Sequence, residues 1–366
     1  MKEENKYIVI PSLSVSPNKI AFYSQVYRSN QLCSSWNNNE KNFVNKKEKT
    51  SNTIVSKKTL SNFHELEISP KAKKRIKEKV TWLYHLAKKK VVQFSSGKII
   101  YNHKMSFITL TLPAQQRHTS KEIIQKPLHN FITEMNRRFG MENYVWRLEW
   151  QKNGNAHFHI ATDTAVDYFK IRSIWNRSIQ LLGYIDDYSE NFRSLSLAQY
   201  NKKVNPDNKT PFDVIKQRYS YGTSSRWRNP NTVSINSAVS GKEIAFYISK
   251  YITKQSSEPI SDIVVEREGT ECNFRLWYCS RSLSKLNNIS MPIDSITNEL
   301  HTILCEIKPR FMNMSQYAEV WYYSIVEQSK ELQKIIDYFL RQYAEKRGYK
   351  PYEKIKRKLA DNLQIT

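Results

Sequence analysis

The stretch "YVWRLEWQKNGNAHFHIAT", residues 144–162, decides the local fold because apolar and polar side chains alternate on both sides of a central turn. Apolar side chains occupy every second position before the turn and again after it, at Trp146, Leu148, Trp150, Ala156, Phe158 and Ile160. The sequence therefore predicts two strands, 144–151 and 156–162, that form a β-hairpin with one apolar and one polar face.

The length of the turn determines which residues of the hairpin face each other. A two-residue turn at 153–154 would pair Trp150 with His157 and would move Glu149 away from the polar face. A three-residue loop, 152–154 with glycine in the left-handed conformation, pairs Glu149 with His157 instead. We predict the three-residue loop because it gives both strands a common apolar face.

The predicted register places two imidazoles and one carboxylate, those of His157, His159 and Glu149, on the polar face of the hairpin. This donor set suits a divalent metal ion and leaves coordination positions for water or substrate. The alternative is a pair of surface or ion-paired histidines beside a glutamate, and the alternation of the sequence does not exclude it.

A second candidate element is "YISKYITK", residues 247–254, within a helix predicted over 241–255. Tyr247, Lys250, Tyr251 and Lys254 have the spacing i, i+3, i+4, i+7, which places them in one stripe. A tyrosine hydroxyl with its usual pKa near 10 is a poor nucleophile, but a nearby ammonium favours the phenolate. Together with a metal ion that polarises a phosphoryl oxygen, these side chains suit DNA cleavage through a covalent phosphotyrosine. An ordinary amphipathic helix with two tyrosines remains the alternative.

The composition indicates a polyanionic partner. The chain of 366 residues has 58 Lys and Arg against 34 Asp and Glu, a net charge of +24. Nucleic acid is the expected partner, and an anionic membrane surface is the weaker alternative because no long basic amphipathic helix dominates the chain. The four cysteines have neither metal-site nor disulfide-framework spacing, and neither a signal peptide nor a membrane-spanning run is predicted.

The remaining pattern predicts an α+β fold with a central antiparallel sheet and helices on its faces. We expect two strands within 98–113, helices over 119–139 (kinked at Pro127) and 166–182, an irregular segment 185–230, a strand at 232–237 and paired strands within 262–280. The predicted regions are a basic, partly disordered segment 1–62, a basic helix and connector 63–97, a central domain 98–285, and a mainly helical basic region 286–366.

Three motifs, taken in order, resemble those of a known superfamily. "FITLTLP" (107–113), "HFHI" (157–160) and "YISKYITK" (247–254) resemble motifs I, II and III of the HUH endonucleases that initiate rolling-circle replication. The two tyrosines four residues apart, each followed by a lysine, resemble the replication-associated A-type proteins of small single-stranded DNA bacteriophages. "RLWYCSRSLSK" (275–285) resembles the segment that follows motif III in such proteins.

The resemblance implies the HUH nuclease fold and a role for each motif residue. His157 and His159 would bind the metal ion, Mg or Mn, with Glu149 as a third ligand. Tyr247 and Tyr251 would be nucleophiles, acting alone or in alternation, and Lys250 and Lys254 would assist at the phosphate.

The resemblance also implies DNA contacts and partners. We expect DNA contacts from Thr109, Thr111, Arg147, Lys152, Arg226 and Arg228. Trp227, between the last two, would either stack on bases or be an ordinary loop tryptophan. The expected substrate is single-stranded origin DNA in the cytoplasm of a bacterial host. Since the P-loop motif of a helicase is missing from the sequence, a host helicase and polymerase would complete replication. The alternatives are a relaxase or transposase with the same chemistry and a non-catalytic DNA-binding protein.

Overall fold

The structure is a computed structural model that describes residues 7–17, 19–28, 66–94, 96–247, 261–269, 274–287, 289–292, 311–314, 318–322 and 330–352. By their internal contacts the residues divide into two compact units, 62–285 with 349–366 and 1–61 with 286–348. None of the helices in the described ranges is both long and apolar enough to cross a lipid bilayer.

The first unit contains a five-stranded antiparallel sheet and a separate two-stranded sheet. The strands of the first unit are β3 (Lys90–Gln93), β4 (Ile99–His103), β5 (Met105–Leu110), β6 (Tyr144–Trp150), β7 (Ala156–Thr162), β8 (Val233–Ala238) and β9 (Trp277–Cys279). The large sheet has the order β8-β5-β7-β6-β9, and β3 pairs with β4. The histidine strand β7 is therefore central, and the predicted α+β fold with helices around an antiparallel sheet is confirmed.

The helices of this unit pack on the sheet or form an insertion beside it. They are α1 (Pro70–Leu86), α2 (Ser120–Ile123), a π-helical turn (Ile124–Leu128), α3 (His129–Phe139), α4 (Tyr168–Gln180), α5 (Tyr184–Arg193), α6 (Leu197–Val204), α7 (Phe212–Ser224), α8 (Gly241–Tyr247), α9 (Asp262–Glu268) and α10 (Arg281–Ser284). The interruption expected at Pro127 is confirmed, because that residue lies inside the π-helical turn between α2 and α3.

The apolar face of the hairpin forms the main core. Trp146, Leu148, Phe158 and Ile160 are buried together with helix residues such as Trp175 of α4. Burial of each such side chain contributes about 1.5–3 kcal/mol, which fixes the hairpin register, since a slip of one residue would expose the whole set. The polar face, with the histidines, is thereby turned away from this core.

The segment 185–230, expected to be irregular, is instead mostly helical. It contains most of α5 and all of α6 and α7, which enclose a small core of their own built on Tyr200, Ile215 and Trp227. The three helices form because their aromatic side chains have partners within the segment.

A short range forms a helix where the sequence predicts a strand. Residues 262–268 are α9, and only 277–279 of the expected strand pair is a strand. In α9 the buried Val264 and the ion pair between Arg267 and Glu268 favour the helix over the strand preference of consecutive valines.

The second unit is built on another antiparallel sheet. Its strands β1 (Tyr7–Ser16), β2 (Lys19–Arg28), β10 (Ile289–Pro292), β11 (Phe311–Met314) and β12 (Ala318–Tyr322) have the order β10-β1-β2-β12-β11. The helix expected after residue 310 is present as α11 (Lys330–Lys346), but the strands β10–β12 before it are not predicted by the sequence pattern. Two of the strands lie in the segment 1–62, of which residues 29–62 fall outside the described residues.

Candidate metal and tyrosine site

The turn of the histidine hairpin is held by hydrogen bonds on several sides. The loop 152–154 closes with a 2.9 Å bond from Gln151 N to Asn155 O, and Gly154 has a φ of +77°. Arg267 of α9 donates to the Gly154 carbonyl at 2.8 Å, and the Gln116 side chain accepts from Ala156 N at 2.6 Å. The predicted three-residue loop with a left-handed glycine is therefore confirmed.

The register brings the predicted ligands together. Glu149 faces His157, and Arg147 faces His159, on neighbouring strands. His159 Nε2 and Glu149 Oε2 are 2.9 Å apart, and the imidazole rings of His157 and His159 are 4.6 Å apart. Thr109, on the other side of His159, lies with its hydroxyl 3.3 Å from His159 Nδ1. With a neutral ring, Nε2 donates to the carboxylate and Nδ1 accepts from the hydroxyl, so both nitrogens are oriented.

Burial and charge set the protonation of this cluster. Burial, aided by the neighbouring His159, lowers the pKa of His157 to about 4, so that His157 is neutral near pH 7. Burial alone would raise the pKa of Glu149, but the hydrogen bond from His159 and the charges of His159, Arg147 and His157 outweigh it and lower the pKa. One ionised carboxylate thus lies beside at least one neutral imidazole.

These donors fit a divalent ion by their chemistry. Neutral imidazole nitrogens and a carboxylate oxygen are common ligands of such ions. Among the residues that the structure describes, no set of three or more His, Cys, Asp or Glu side chains is arranged to hold a metal ion. His159 Nε2 and Glu149 Oε2 are bonded to each other instead, so this hydrogen bond would have to open for both to contact one ion.

Tyr247 is the described part of the tyrosine motif. It ends α8, its side chain is buried, and its ring stacks on Phe107 of β5 with a centroid distance of 3.5 Å and an interplanar angle of 12°. Arg147 lies near enough for Tyr247 to raise the pKa of its guanidinium, although burial has the larger effect and lowers that pKa. Arg147 therefore interacts electrostatically with both Glu149 and Tyr247. Lys250, Tyr251 and Lys254 lie outside the described residues.

The other expected DNA contacts have different surroundings. Thr111 donates its hydroxyl to the Thr232 carbonyl at 3.1 Å, and Arg228 forms a 2.8 Å ion pair with Asp186. Lys152, at the tip of the hairpin, and Arg226 are both exposed. Trp227 is buried at 3% exposure within the small core of the helical insertion, so it is not available for stacking on bases.

Sequence reasoning missed several side chains that support this site. Phe107 was visible only as part of a strand motif, and its contact with Tyr247 depends on the packing of α8 over β5. Arg267 and Glu268 were assigned to a strand, yet they connect the hairpin turn to the start of α2, where Ser120 N and Oγ both donate to Glu268. The S/T-x-x-E capping box at 119–122 is a local signal that marks this helix start.

A comparison with protein families gives one match. Residues 105–256, two fifths of the chain, match the family model of the replication-associated protein ORF2, which also covers the gene-2 protein of the same type. The matched range runs from β5 through the histidine hairpin to the tyrosine motif. No curated protein and no solved structure matches the chain. The resemblance to replication-associated proteins of small single-stranded DNA phages is thereby confirmed, and the segment 105–256 is of the replication-associated ORF2 type.

Proposed function

We propose that this protein initiates rolling-circle replication by nicking one strand of single-stranded origin DNA and later rejoining it. The observation that carries the proposal is the register of the histidine hairpin, which puts His157, His159 and Glu149 on one face. On the same face, Arg147 interacts electrostatically with both Glu149 and Tyr247. The family match supports a role in replication initiation.

In the proposed reaction a tyrosine hydroxyl, that of Tyr247 or Tyr251, attacks a backbone phosphate. A bond forms between the phenol oxygen and phosphorus, the bond from phosphorus to the 3′ oxygen breaks, and the 3′ oxygen leaves as a hydroxyl that takes up a proton. The products are a 5′-phosphotyrosine and a 3′-OH that primes synthesis. Rejoining is the reverse attack by a 3′-OH on the phosphotyrosine.

The residues around the site have separate tasks in this scheme. Stacking on Phe107 fixes the ring of Tyr247, and the guanidinium of Arg147 favours the phenolate and the negative charge of the phosphate. We assign the binding of a divalent ion, Mg or Mn, to His157, His159 and Glu149, with Thr109 orienting the ring of His159. When bound, such an ion polarises a phosphoryl oxygen and aligns the scissile phosphodiester.

The proposal includes partners and a setting. The net charge of +24 supports binding to the phosphate backbone. We place the reaction in the cytoplasm of a bacterial host, with a host helicase to unwind and a host polymerase to extend the 3′-OH.

A covalent adduct tests the chemistry directly. The protein is incubated with Mg or Mn and a pool of random single-stranded DNA labelled at its 3′ end, and the products are separated on a denaturing gel. We expect labelled DNA attached to protein, because the fragment downstream of the nick carries the phosphotyrosine. Sequencing of the attached DNA would identify the nick site. A lack of adduct with either metal, or an adduct that carries a 5′ label, would contradict the proposal.

Matched variants separate the roles of the tyrosines. If they act in alternation, Tyr247→Phe and Tyr251→Phe each retain adduct formation and only the double variant is inert. One fully inactive single variant identifies a single nucleophile.

A second set of variants tests the metal ligands. His157→Ala and His159→Ala should abolish adduct formation and leave salt-sensitive DNA binding intact. Glu149→Gln keeps an oxygen that can accept from His159 but removes the anionic ligand, so the Mn concentration for half-maximal adduct should rise about 10- to 100-fold. The exposed Glu142→Gln is the control. An unchanged Mn dependence in Glu149→Gln would exclude Glu149 as a ligand.

A further inference from the structure

An exposed cluster of aromatic rings surrounds an arginine at the start of α4, and we name it the Arg172 cluster. It comprises Tyr168, Phe169, Arg172 and Tyr221. The Arg172 guanidinium carbon lies 5.3 Å from the ring centre of Tyr168, 5.5 Å from that of Phe169 and 5.9 Å from that of Tyr221. All three distances fall within the range of cation–π attraction.

Hydrogen bonds hold two of the rings and the arginine in place. Arg172 donates to the Tyr221 hydroxyl at 2.8 Å, and Asn229 donates to the same hydroxyl at 2.7 Å. The Tyr168 hydroxyl donates to Asn231 at 2.5 Å. The cluster is therefore a fixed arrangement of aromatic side chains that needs little ordering when a ligand binds.

Burial in the protein does not account for these aromatic residues. Phe169 is 60% exposed and Tyr221 is 48% exposed, so both keep much of their apolar surface in water. Within the described ranges, Arg172 has no carboxylate partner; its contacts are with the aromatic side chains. A cationic group surrounded by accessible rings is the arrangement with which proteins bind nucleobases and the backbone of single strands.

Two shallow hollows flank the cluster. One, of about 320 Å³, is lined by Phe169 and Lys170 and by other residues that include Arg138 and Arg177. The other, of about 490 Å³, is lined by Tyr221, Lys216 and others. Each hollow thus combines one exposed ring with at least one exposed lysine.

The charges at this surface favour a polyanion. The cluster and the two hollows contribute five cations, Arg138, Lys170, Arg172, Arg177 and Lys216. Glu134 forms ion pairs with two of them, Arg138 and Arg177, and Asp213 lines the second hollow. Cations therefore outnumber carboxylates even after these ion pairs are counted.

We infer that the Arg172 cluster is a second DNA-binding surface, where an extended single strand stacks one base on Phe169 and one on Tyr221. Lys170 and Lys216 contact its phosphates. The inference extends the proposed function, on which it rests only for the choice of DNA as the nucleic acid. The surface is separate from the side chains assigned to nicking, so it holds the strand and does no chemistry.

Binding without metal tests the surface independently of nicking. The full chain is titrated into a fluorescein-labelled 20-nucleotide oligo(dT) in EDTA, and anisotropy gives the dissociation constant. Because each base stack makes a separate contribution, we expect Phe169→Ala and Tyr221→Ala each to raise the dissociation constant about tenfold. Tyr101→Ala removes a ring that is 66% exposed on β4 and serves as the matched control. Circular dichroism melting checks that each variant folds.

The salt dependence separates stacking from charge. Lys170→Gln and Lys216→Gln should each lower the slope of log affinity against log salt by about 0.7, whereas Phe169→Ala should leave the slope unchanged. A 20-base-pair duplex should bind the parent and Phe169→Ala equally, since its bases are not available for stacking.

Two results would overturn the inference. One is a folded Phe169→Ala/Tyr221→Ala double variant that binds oligo(dT) within twofold of the parent; the other is an equal loss in Tyr101→Ala. Failure of the proposed function has a different signature, in which the parent binds oligo(dT) through these rings but forms no adduct with Mg or Mn.

Discussion

At the scale of single residues, His103 shows how burial controls protonation in this unit. It ends β4, its side chain is fully buried, and its Nε2 lies 3.1 Å from the Ser106 hydroxyl, while Nδ1 has no hydrogen-bond partner among the described residues. Burial, together with the charge of Lys90, lowers the pKa of His103 from 6.5 to about 4. The folded protein therefore keeps this ring neutral at a pH where the unfolded chain would protonate it.

This difference in proton binding predicts a loss of stability in acid. Between pH 6.5 and pH 4 the unfolded chain binds more protons at this residue, so the free energy of unfolding falls as the pH is lowered. The shift corresponds to roughly 3 kcal/mol over that range. His103→Gln should reduce the difference between urea unfolding curves recorded at pH 7 and pH 4.5.

The exposed His129→Gln provides the comparison for this prediction. It should leave the pH dependence as in the parent. A His103→Gln variant with the same dependence as the parent would show that this ring does not remain neutral in the folded state. Some pH dependence should persist in any case, because the pKa of His157 is also lowered to about 4.

At the scale of elements, the histidine hairpin could be predicted from sequence because all its determinants are local. Alternation fixes the two faces, and the glycine of the turn fixes the register. The helices around Pro127 and from Tyr168 to Gln180 follow the same rule, since periodicity and caps lie within one segment.

Elements that depend on distant partners could not be predicted in the same way. The strands β1 and β2 pair with β10 and β12, which lie more than 200 residues further along the chain, so no local pattern indicates them. In the candidate site, the contact of Phe107 with Tyr247 and the bond from Arg267 to Gly154 are likewise long-range. The residue types of the site were predictable, whereas the side chains that position them were not.

The helical insertion was missed although its sequence contains a signal. Ser196 and Gln199 form a capping box at the start of α6, but loop-type residues around the helices suggested an irregular segment. The three helices are held together by aromatic packing around Trp227, whose ring stacks on Phe192 at 5.2 Å. Short helices of this kind are stabilised by tertiary packing more than by intrinsic propensity.

This packing makes Gly222 of α7 sensitive to substitution. A Cβ atom at Gly222 would lie 2.3 Å from the Trp227 ring, far inside van der Waals contact. Gly222→Ala gains at most about 1 kcal/mol of helix propensity, and overpacking costs about 1–3 kcal/mol. Because the rigid, buried ring has little room to move, we expect a net loss in the free energy of unfolding, measured by urea denaturation.

The exposed Ser220→Ala on the same helix is the control for Gly222→Ala. It adds no steric conflict and should be neutral or slightly stabilising. A stabilised Gly222→Ala variant would mean that Trp227 does not pack against α7 as described.

At the scale of the whole molecule, the charge excess predicts a strong dependence of DNA binding on salt. A protein that neutralises about six phosphates of duplex DNA loses about a thousandfold in affinity between 50 and 200 mM salt. With a net charge of +24, we expect a loss of at least this order for non-specific duplex DNA in EDTA. Filter binding or anisotropy over this range gives the slope.

Vesicles with anionic lipid provide the contrasting experiment for the same charge. At about 150 mM salt the Debye length is about 8 Å, so attraction between exposed charges and a lipid surface is largely screened. With DNA as the expected partner, sedimentation with such vesicles should therefore be weak. Strong sedimentation together with a DNA affinity that changes less than tenfold with salt would favour the membrane surface as the polyanionic partner.

The ion pair between Arg228 and Asp186 has a consequence for how such a protein can diversify. It joins the first and last parts of the helical insertion, so the chain leaves and re-enters the sheet region through a narrow neck. The insertion carries Tyr221, whereas Phe169 and the histidine hairpin belong to the elements outside it. Exchange of this one segment between relatives would therefore replace half of the proposed strand-binding surface and leave the hairpin in place. Strand preference and chemistry are encoded in separable parts of the chain, and evolution can alter the first without rebuilding the second.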